Sequence, residues 1–161
     1  MANTQSMCTS FLGELMTATH NFGTAPIRAA TTADTFKAAL YFASATVNAS
    51  TTAYSTTGEV TNTSGSGYTA GGTTVTNGTA PLTTNTSSTA GTAYWTPTAS
   101  FSWSALTVTT AFDAVLVYNS TQSNKAVSVH TFGSQTITAG TFTLTMPSNT
   151  TSTALLRLAT T

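Results

Sequence analysis

Residues 112–144 constrain the fold of this 161-residue chain more than any other stretch. Residues 112–118 are apolar and β-branched, and residues 126–132 alternate between apolar and polar side chains after a polar turn. Residues 133–135 interrupt the pattern, which resumes over residues 137–146. Alternation with a period of two, cut by Gly and Asn, is typical of antiparallel strands with one buried face. We therefore predict two successive β-hairpins in this region.

Shorter runs of strand-forming residues occur on both sides of this region. The pattern predicts strands at residues 36–42, 73–76, 92–96, 101–109 and 153–158, with a bulge in the fourth near Ala105. A total of about eight short strands, roughly ten residues apart, is typical of a sandwich or a jelly roll. We predict a mainly β fold: an antiparallel, jelly-roll-like β-sandwich. The last run is so apolar that we expect it in the middle of a sheet.

Residues 10–22 show the only helical periodicity in the chain. Apolar side chains recur there three or four positions apart and form one apolar face. Ser10 fits the N-cap and Gly23 fits the stop signal. His20 would lie near the C-terminal end, where the helix dipole favours a positive charge. We therefore predict one short N-terminal α-helix.

The chain is expected to form a single domain over residues 1–161, which is long enough to bury a core. Residues 1–9 are predicted to be a polar N-terminal arm, residues 10–22 the helix, and residues 35–161 the β-sandwich. Residues 44–67 are rich in Ser, Thr and Asn, and loops of this length inside a domain are usually functional or flexible.

Charge is the most unusual property of the composition. Only 5% of the residues are charged, with four bases, four acids and a formal net charge of zero. Binding to nucleic acid or to an anionic membrane requires clustered Lys or Arg, which this chain lacks, so we predict neither partner. So few charges protect a protein poorly against association. The composition therefore indicates assembly with other subunits, and a Thr-rich secreted domain remains the alternative.

The sequence contains no familiar catalytic motif. GxSxG, HExxH, CxxC and GxxxxGK[ST] are all absent, and Cys8 as the only cysteine excludes an intrachain disulfide. We interpret His20 and His130 as structural residues. Glu59 and Asp113 are the acids that remain open as a hydrolytic pair. We predict a protein that is not an enzyme and that uses no metal or cofactor.

Several stretches resemble a family of small structural proteins from tailed bacteriophages. They are the opening MANTQSMCTSFLGELMTATHNFG, then DTFKAALYFASATV, the turn GYTAGG at residues 67–72, the block FDAVLVYNSTQSNKAVSVHTFGSQTITAGTFTLTMP and the closing ALLRLA. The likeness covers most of the chain and is weakest over residues 79–91, which form a longer segment here. It implies a small β-rich virion component that is assembled in the bacterial cytoplasm. We interpret it as a capsid cement or decoration protein.

This interpretation leads to specific expectations about partners. The protein would bind the outer surface of the major capsid protein shell and copies of itself, with a trimer as one arrangement, and would stabilise the head. We expect the contacts to come from residues 1–9, 44–72 and 79–91, with aromatic side chains as anchors. Removal of residues 1–9 is expected to leave a folded domain that no longer binds the shell. The expected interface residues are Asn3, Thr4, Gln5, Met7, Tyr54, Tyr68, Tyr94 and Trp95.

Two other roles remain open from the sequence. One is a structural protein of the tail, the collar or a fibre base, which copy number per virion would separate from a head protein. The other is a carbohydrate-binding β-sandwich displayed on the virion, in which Tyr94, Trp95 or Trp103 stacks on a sugar.

Overall fold

The computed structural model describes residues 2–16, 18–22, 33–60, 65–84 and 91–159, with Met16 described by its backbone only. The fold is mainly β, with antiparallel sheets and one short helix in a sandwich-like arrangement, as the sequence predicts. The elements are β1 (Ser6–Met7), α1 (Thr9–Met16), β2 (Phe36–Phe42), β3 (Thr73–Thr74), β4 (Leu82–Thr83), β5 (Thr92–Trp95), β6 (Phe101–Asn119), β7 (Lys125–Leu144) and β8 (Leu156–Ala159).

The strands form two antiparallel sheets. The larger sheet has the order β1-β7-β6-β2-β3, and the smaller has the order β4-β5-β8. β2 and the second half of β6 are buried almost throughout, which explains why both read as nearly continuous apolar runs. Phe36 of the larger sheet and Trp95 of the smaller sheet both pack against Phe22, with ring centroids 4.3 Å and 4.8 Å away. These three aromatic rings join the two sheets.

The prediction of two successive hairpins is wrong, because β6 and β7 form one long hairpin. Its register runs from Asn119 opposite Lys125 at the turn to Phe101 opposite Leu144 at the far end. Residues 133–135 do not turn the chain, since Gln135 pairs with Phe112 in the ladder. The separately predicted strand at residues 101–109 is the first half of β6.

The long hairpin bends back on itself. The rings of Phe132 and Phe142 lie 4.9 Å apart, although ten residues of straight strand would span about 33 Å. The ladder changes register several times along this part, and Ala105 and Ala139 adopt positive φ angles of 52° and 50°. Bulges of this kind bend a strand and increase its twist. The bulge predicted near Ala105 is therefore confirmed, and it is one of the irregularities at which the hairpin bends.

The helix is shorter than predicted. It ends at Met16. Ala18 has a φ of 53°, which is not a helical angle. The Ala18 N–H donates to the Leu15 carbonyl and the Thr19 N–H to the Glu14 carbonyl, which is the Schellman pattern of a helix C-terminus. Ala occupies the position that usually carries Gly, so the sequence pattern placed the end too late.

β8 also differs from the prediction. It begins at Leu156 rather than at residue 153, and it lies at the edge of the smaller sheet rather than in the middle. Ala154 and Leu156 face the core as expected, whereas Leu158 is 41% exposed. The apolar run therefore reflects one buried face and one exposed leucine, not pairing on both sides.

Candidate interaction site

The N-terminal residues are bound to the body of the protein rather than free. The Asn3 amide group donates to the Phe42 carbonyl at 3.1 Å and to the Asp113 carboxylate at 2.6 Å, and its oxygen accepts the Val47 N–H at 3.0 Å. The backbone N–H of Thr4 donates to the Val47 carbonyl. Groups within the fold therefore satisfy both amide hydrogens of the Asn3 side chain and one of the two lone pairs of its oxygen.

The following residues complete one edge of the larger sheet. Ser6 pairs with Val129 and Met7 with Ser128, and the Cys8 N–H continues the ladder to the Val127 carbonyl. Cys8 is fully buried, and burial raises the pKa of its thiol to about 11. Residues 3–8 contribute hydrogen bonds, a strand and a core side chain, so we expect the removal of residues 1–9 to destabilise the fold, unlike the expectation from the sequence.

A chain of polar side chains connects α1 to the hairpin turn. The Lys125 ammonium lies 2.5 Å from the Glu14 carboxylate, whose other oxygen lies 2.7 Å from Nε2 of His20. Nδ1 of His20 lies 3.1 Å from the amide nitrogen of Asn119, which also donates to the Asp34 carboxylate at 2.8 Å. This chain fixes the loop after the helix against the turn between β6 and β7.

His20 is therefore neutral in this structure. Because Asn119 donates to Nδ1, the imidazole proton is on Nε2 and is donated to Glu14. Burial lowers the pKa of His20, although Glu14 and Asp34 oppose that shift. The sequence-based prediction of a helix-terminal His that favours positive charge is wrong, since the helix ends before residue 20 and the side chain is in the core.

A second polar cluster ties the long loop to the sheet around Glu59. Its carboxylate accepts the hydroxyl groups of Tyr54 and Tyr68 and the N–H of Gly71, each at 2.7 Å. The hydroxyl group of Tyr118 in turn donates to the Gly71 carbonyl. Burial raises the pKa of all three tyrosines, which keeps them protonated as donors. These hydrogen bonds hold the long loop against the sheet, and we call this cluster the Glu59 clamp.

A groove of about 440 Å³ is lined by β1 and the adjacent residues of β7, and by the segment that leads into β8. One wall is formed by residues 5–7 and 128–130, and the other by Pro147 and residues 153–157. The first wall ends at His130, whose Nε2 lies 2.9 Å from the Ser128 hydroxyl oxygen. Burial lowers the pKa of His130 to about 4, so its imidazole is neutral near pH 7. Of the described residues that line the groove, Arg157 alone is charged.

The structure separates the expected interface residues into three groups. Thr4 and Gln5 are exposed, whereas Asn3, Met7, Tyr54 and Tyr94 are partly buried. Tyr68 and Trp95 are each 2% exposed, and their polar atoms bond to Glu59 and to the Thr79 carbonyl, so neither side chain is available as a surface anchor. The groove brings together Gln5 and Met7 from this set. It adds His130 and Arg157, which the sequence pattern gave no reason to place together.

The aromatic platform proposed for sugar binding is not present at the surface. Trp95 is in the core, and Trp103 is 6% exposed and packs against Phe142 at a centroid distance of 5.9 Å. Only Tyr94 keeps partial exposure. Stacking on a sugar needs an accessible ring face, so this arrangement does not supply one at either Trp.

Potential catalytic groups are dispersed over the described ranges. Glu59 and Asp113, the pair considered for hydrolysis, belong to separate hydrogen-bond sets with Tyr68 and with Asn3. Across these ranges, no three His, Cys, Asp or Glu residues group as metal ligands do. Within the same part of the chain, no helix has the length and apolar character needed to cross a membrane.

Comparisons of this chain with protein-family models, with curated proteins and with solved structures find no match.

Proposed function

We propose that this protein is a structural component of a tailed-bacteriophage virion, a capsid cement or decoration protein that binds the outer surface of the major capsid protein shell. The proposal joins the resemblance to small phage structural proteins with the chemistry of the surface. It is a binding role, in which the protein contributes contact area and hydrogen bonds rather than chemistry.

The observation that carries the proposal is that all four carboxylates are used inside the fold. Glu14 bonds Lys125 and His20, Asp34 bonds Asn119, and Glu59 bonds two tyrosines. Asp113 bonds Asn3. Each of the four acidic side chains therefore has a partner within the described part of the chain. Another subunit can therefore cover these acids without burying a carboxylate that lacks a hydrogen-bond partner, which is costly.

The outer edge of β7 supports contact with copies of the same chain. Residues 131–144 pair only with β6 among the described strands, and they contain no charged residue. Natural edge strands are usually protected by charge, Pro or a covering element. An edge that carries no charge, and that no further described strand pairs with, fits a protein that works as an oligomer.

The proposal is tested by adding the purified protein to heads, lacking it, of the phage that encodes it. We expect saturable co-sedimentation at a fixed ratio to the major capsid protein, and a higher temperature of head disruption. An unrelated Thr-rich β-sandwich of similar size is the control. Recovery of the protein only in tail, collar or fibre fractions would favour the tail alternative. No association with heads or tails would overturn the proposal.

A further inference from the structure

The outer edge of β1 presents unpaired backbone groups to the groove. Ser6 and Cys8 are two residues apart, and the Cys8 N–H bonds β7, so the alternation of an antiparallel ladder directs Ser6 to β7 as well. Met7 between them, and Gln5 before them, then direct N–H and C=O groups away from β7. Among the described residues, neither has another backbone hydrogen-bond partner.

The opposite wall of the groove is also a strand edge. β8 pairs with β5 on one side only, and its first residues, with residues 153–155, line the groove across from Gln5 and Met7. The groove is thus a gap between the edges of the two sheets. A gap of this kind fits an extended chain, which satisfies exposed backbone groups by adding a strand.

The charge of the groove indicates which kind of segment it can bind. Arg157 is exposed, makes no ion pair in the described chain, and has one hydrogen bond, to the Thr151 carbonyl at 3.3 Å. No Asp or Glu lines the groove. The four acidic side chains of a second copy already have hydrogen-bond partners inside its own fold, which favours a carboxylate from a different molecule as the partner of Arg157.

We propose that the groove between β1 and β8 binds an extended, acidic segment of another protein. The segment adds a strand to β1 through the backbone of Gln5 and Met7, and one of its Asp or Glu side chains pairs with Arg157. Thr153, an exposed residue that also lines the groove, provides a further polar contact. The groove chemistry alone defines the segment, and only its assignment to the capsid shell rests on the proposed function.

The test uses two blocked heptapeptides, TVTETVT and TVTKTVT, as probes. They share an alternating pattern suited to a strand and differ only in the central charge. Two-dimensional NMR of the labelled full-length protein follows the titration, and amide hydrogen exchange follows backbone pairing. We expect TVTETVT to shift the amides of Gln5, Met7 and Arg157 and to slow exchange at Gln5 and Met7 by about tenfold or more. TVTKTVT should bind about tenfold more weakly.

Two variants separate the backbone contact from the charge contact. Gln5→Pro removes an outward N–H, which an edge strand tolerates, and should abolish binding, whereas Gln5→Ala keeps the N–H and should not. Arg157→Gln should remove the preference for the acidic peptide. Circular dichroism and the melting temperature of each variant check that the fold is retained. Equal binding of both peptides, or shifts confined to another surface, would overturn the proposal.

Failure of this inference can be told apart from failure of the proposed function. If the wild-type protein binds heads and Gln5→Pro and Arg157→Gln bind equally well, the function stands and the groove is not the contact. If the acidic peptide binds and heads do not, the groove stands and the capsid role fails. A dimer in analytical ultracentrifugation that Gln5→Pro dissociates would assign the groove to a second copy and overturn the proposal.

Discussion

The amide nitrogen of Asn119 lies 3.1 Å from Nδ1 of His20, and this contact sets the protonation state of the imidazole. A protonated ring would direct an N–H at the N–H of Asn119. The contact therefore favours the neutral ring whose Nε2 proton is donated to Glu14. It links residues that are 99 positions apart and makes the attachment of α1 to the hairpin sensitive to pH.

The first prediction concerns stability below neutral pH. Burial lowers the pKa of His20 below its ordinary value of 6.5. As the pH falls, the unfolded chain therefore binds a proton at His20 before the folded chain does. The free energy of unfolding should therefore fall as the pH drops below about 6.5, with a slope of up to about 1.4 kcal/mol per pH unit for one histidine. Urea denaturation between pH 7.5 and 5.5 measures this loss.

His20→Gln and His130→Gln separate the two histidines in that experiment. Gln at position 20 can still donate to Glu14 and accept from Asn119, so this variant should keep the fold and lose part of the pH dependence. Burial also lowers the pKa of His130, so His130→Gln should remove a different part. A His20 pKa at or above 6.5 by NMR would contradict the account of the polar chain.

The second prediction concerns the Glu59 clamp. Glu59→Gln replaces one acceptor oxygen with an NH₂ group, which is a donor and would face hydroxyl or N–H donors. The free energy of unfolding should therefore fall by about 2–3 kcal/mol. Tyr54→Phe removes one donor and leaves the carboxylate with Tyr68 and Gly71, so its cost should be about 1 kcal/mol. Urea denaturation at pH 7 gives both values. Equal, negligible costs would show that the clamp is not stabilising.

The third prediction concerns the N-terminal residues. Asn3→Ala removes three hydrogen bonds and leaves the Asp113 carboxylate and the Val47 N–H without this partner, so we expect a loss of about 2–3 kcal/mol. Thr4→Ala is the matched control, since its side chain is exposed and its backbone bond to Val47 remains. If the two variants melt at the same temperature, the N-terminal residues are not part of the stable fold.

The fourth prediction compares two glycines. Gly67 has a φ of 68°, and a Cβ there would collide with the Ala105 carbonyl group at the bulge, so Gly67→Ala should destabilise the fold by more than about 1 kcal/mol. A Cβ on Gly13 in α1 meets no atom within 4 Å, so Gly13→Ala should stabilise the fold by about 1 kcal/mol. The opposite order of melting temperatures would contradict the described bend.

The sequence predicted the strand content because alternation is a local property. β2 and the bulge at Ala105 were found this way, and so was the buried face that carries Ala154. The bend of β7 was not predictable, since Phe132 and Phe142 meet only after the chain has folded back. Residues 133–135 resemble a turn, yet they pair with β6 because the ladder on both sides holds them.

The candidate interaction site was predicted only in part. Gln5 and Met7 were expected at an interface because they lie in a polar segment, whereas the structure offers there the backbone groups of an edge strand, β1. Tyr68 and Trp95 were expected there because aromatic residues anchor interfaces, but such residues also fill cores. Nothing in the sequence spacing places Arg157 and Gln5 in the same groove, since that depends on how the two sheets meet.

Cryo-electron microscopy of the intact particle can show whether the protein lies on the phage head. We expect ordered density of this mainly β fold on the outer surface of the head, repeated at equivalent positions of the capsid lattice, with part of its surface covered by shell protein or by other copies. A head surface without this density, in a particle where mass spectrometry detects the protein only in the tail or not at all, would contradict this expectation.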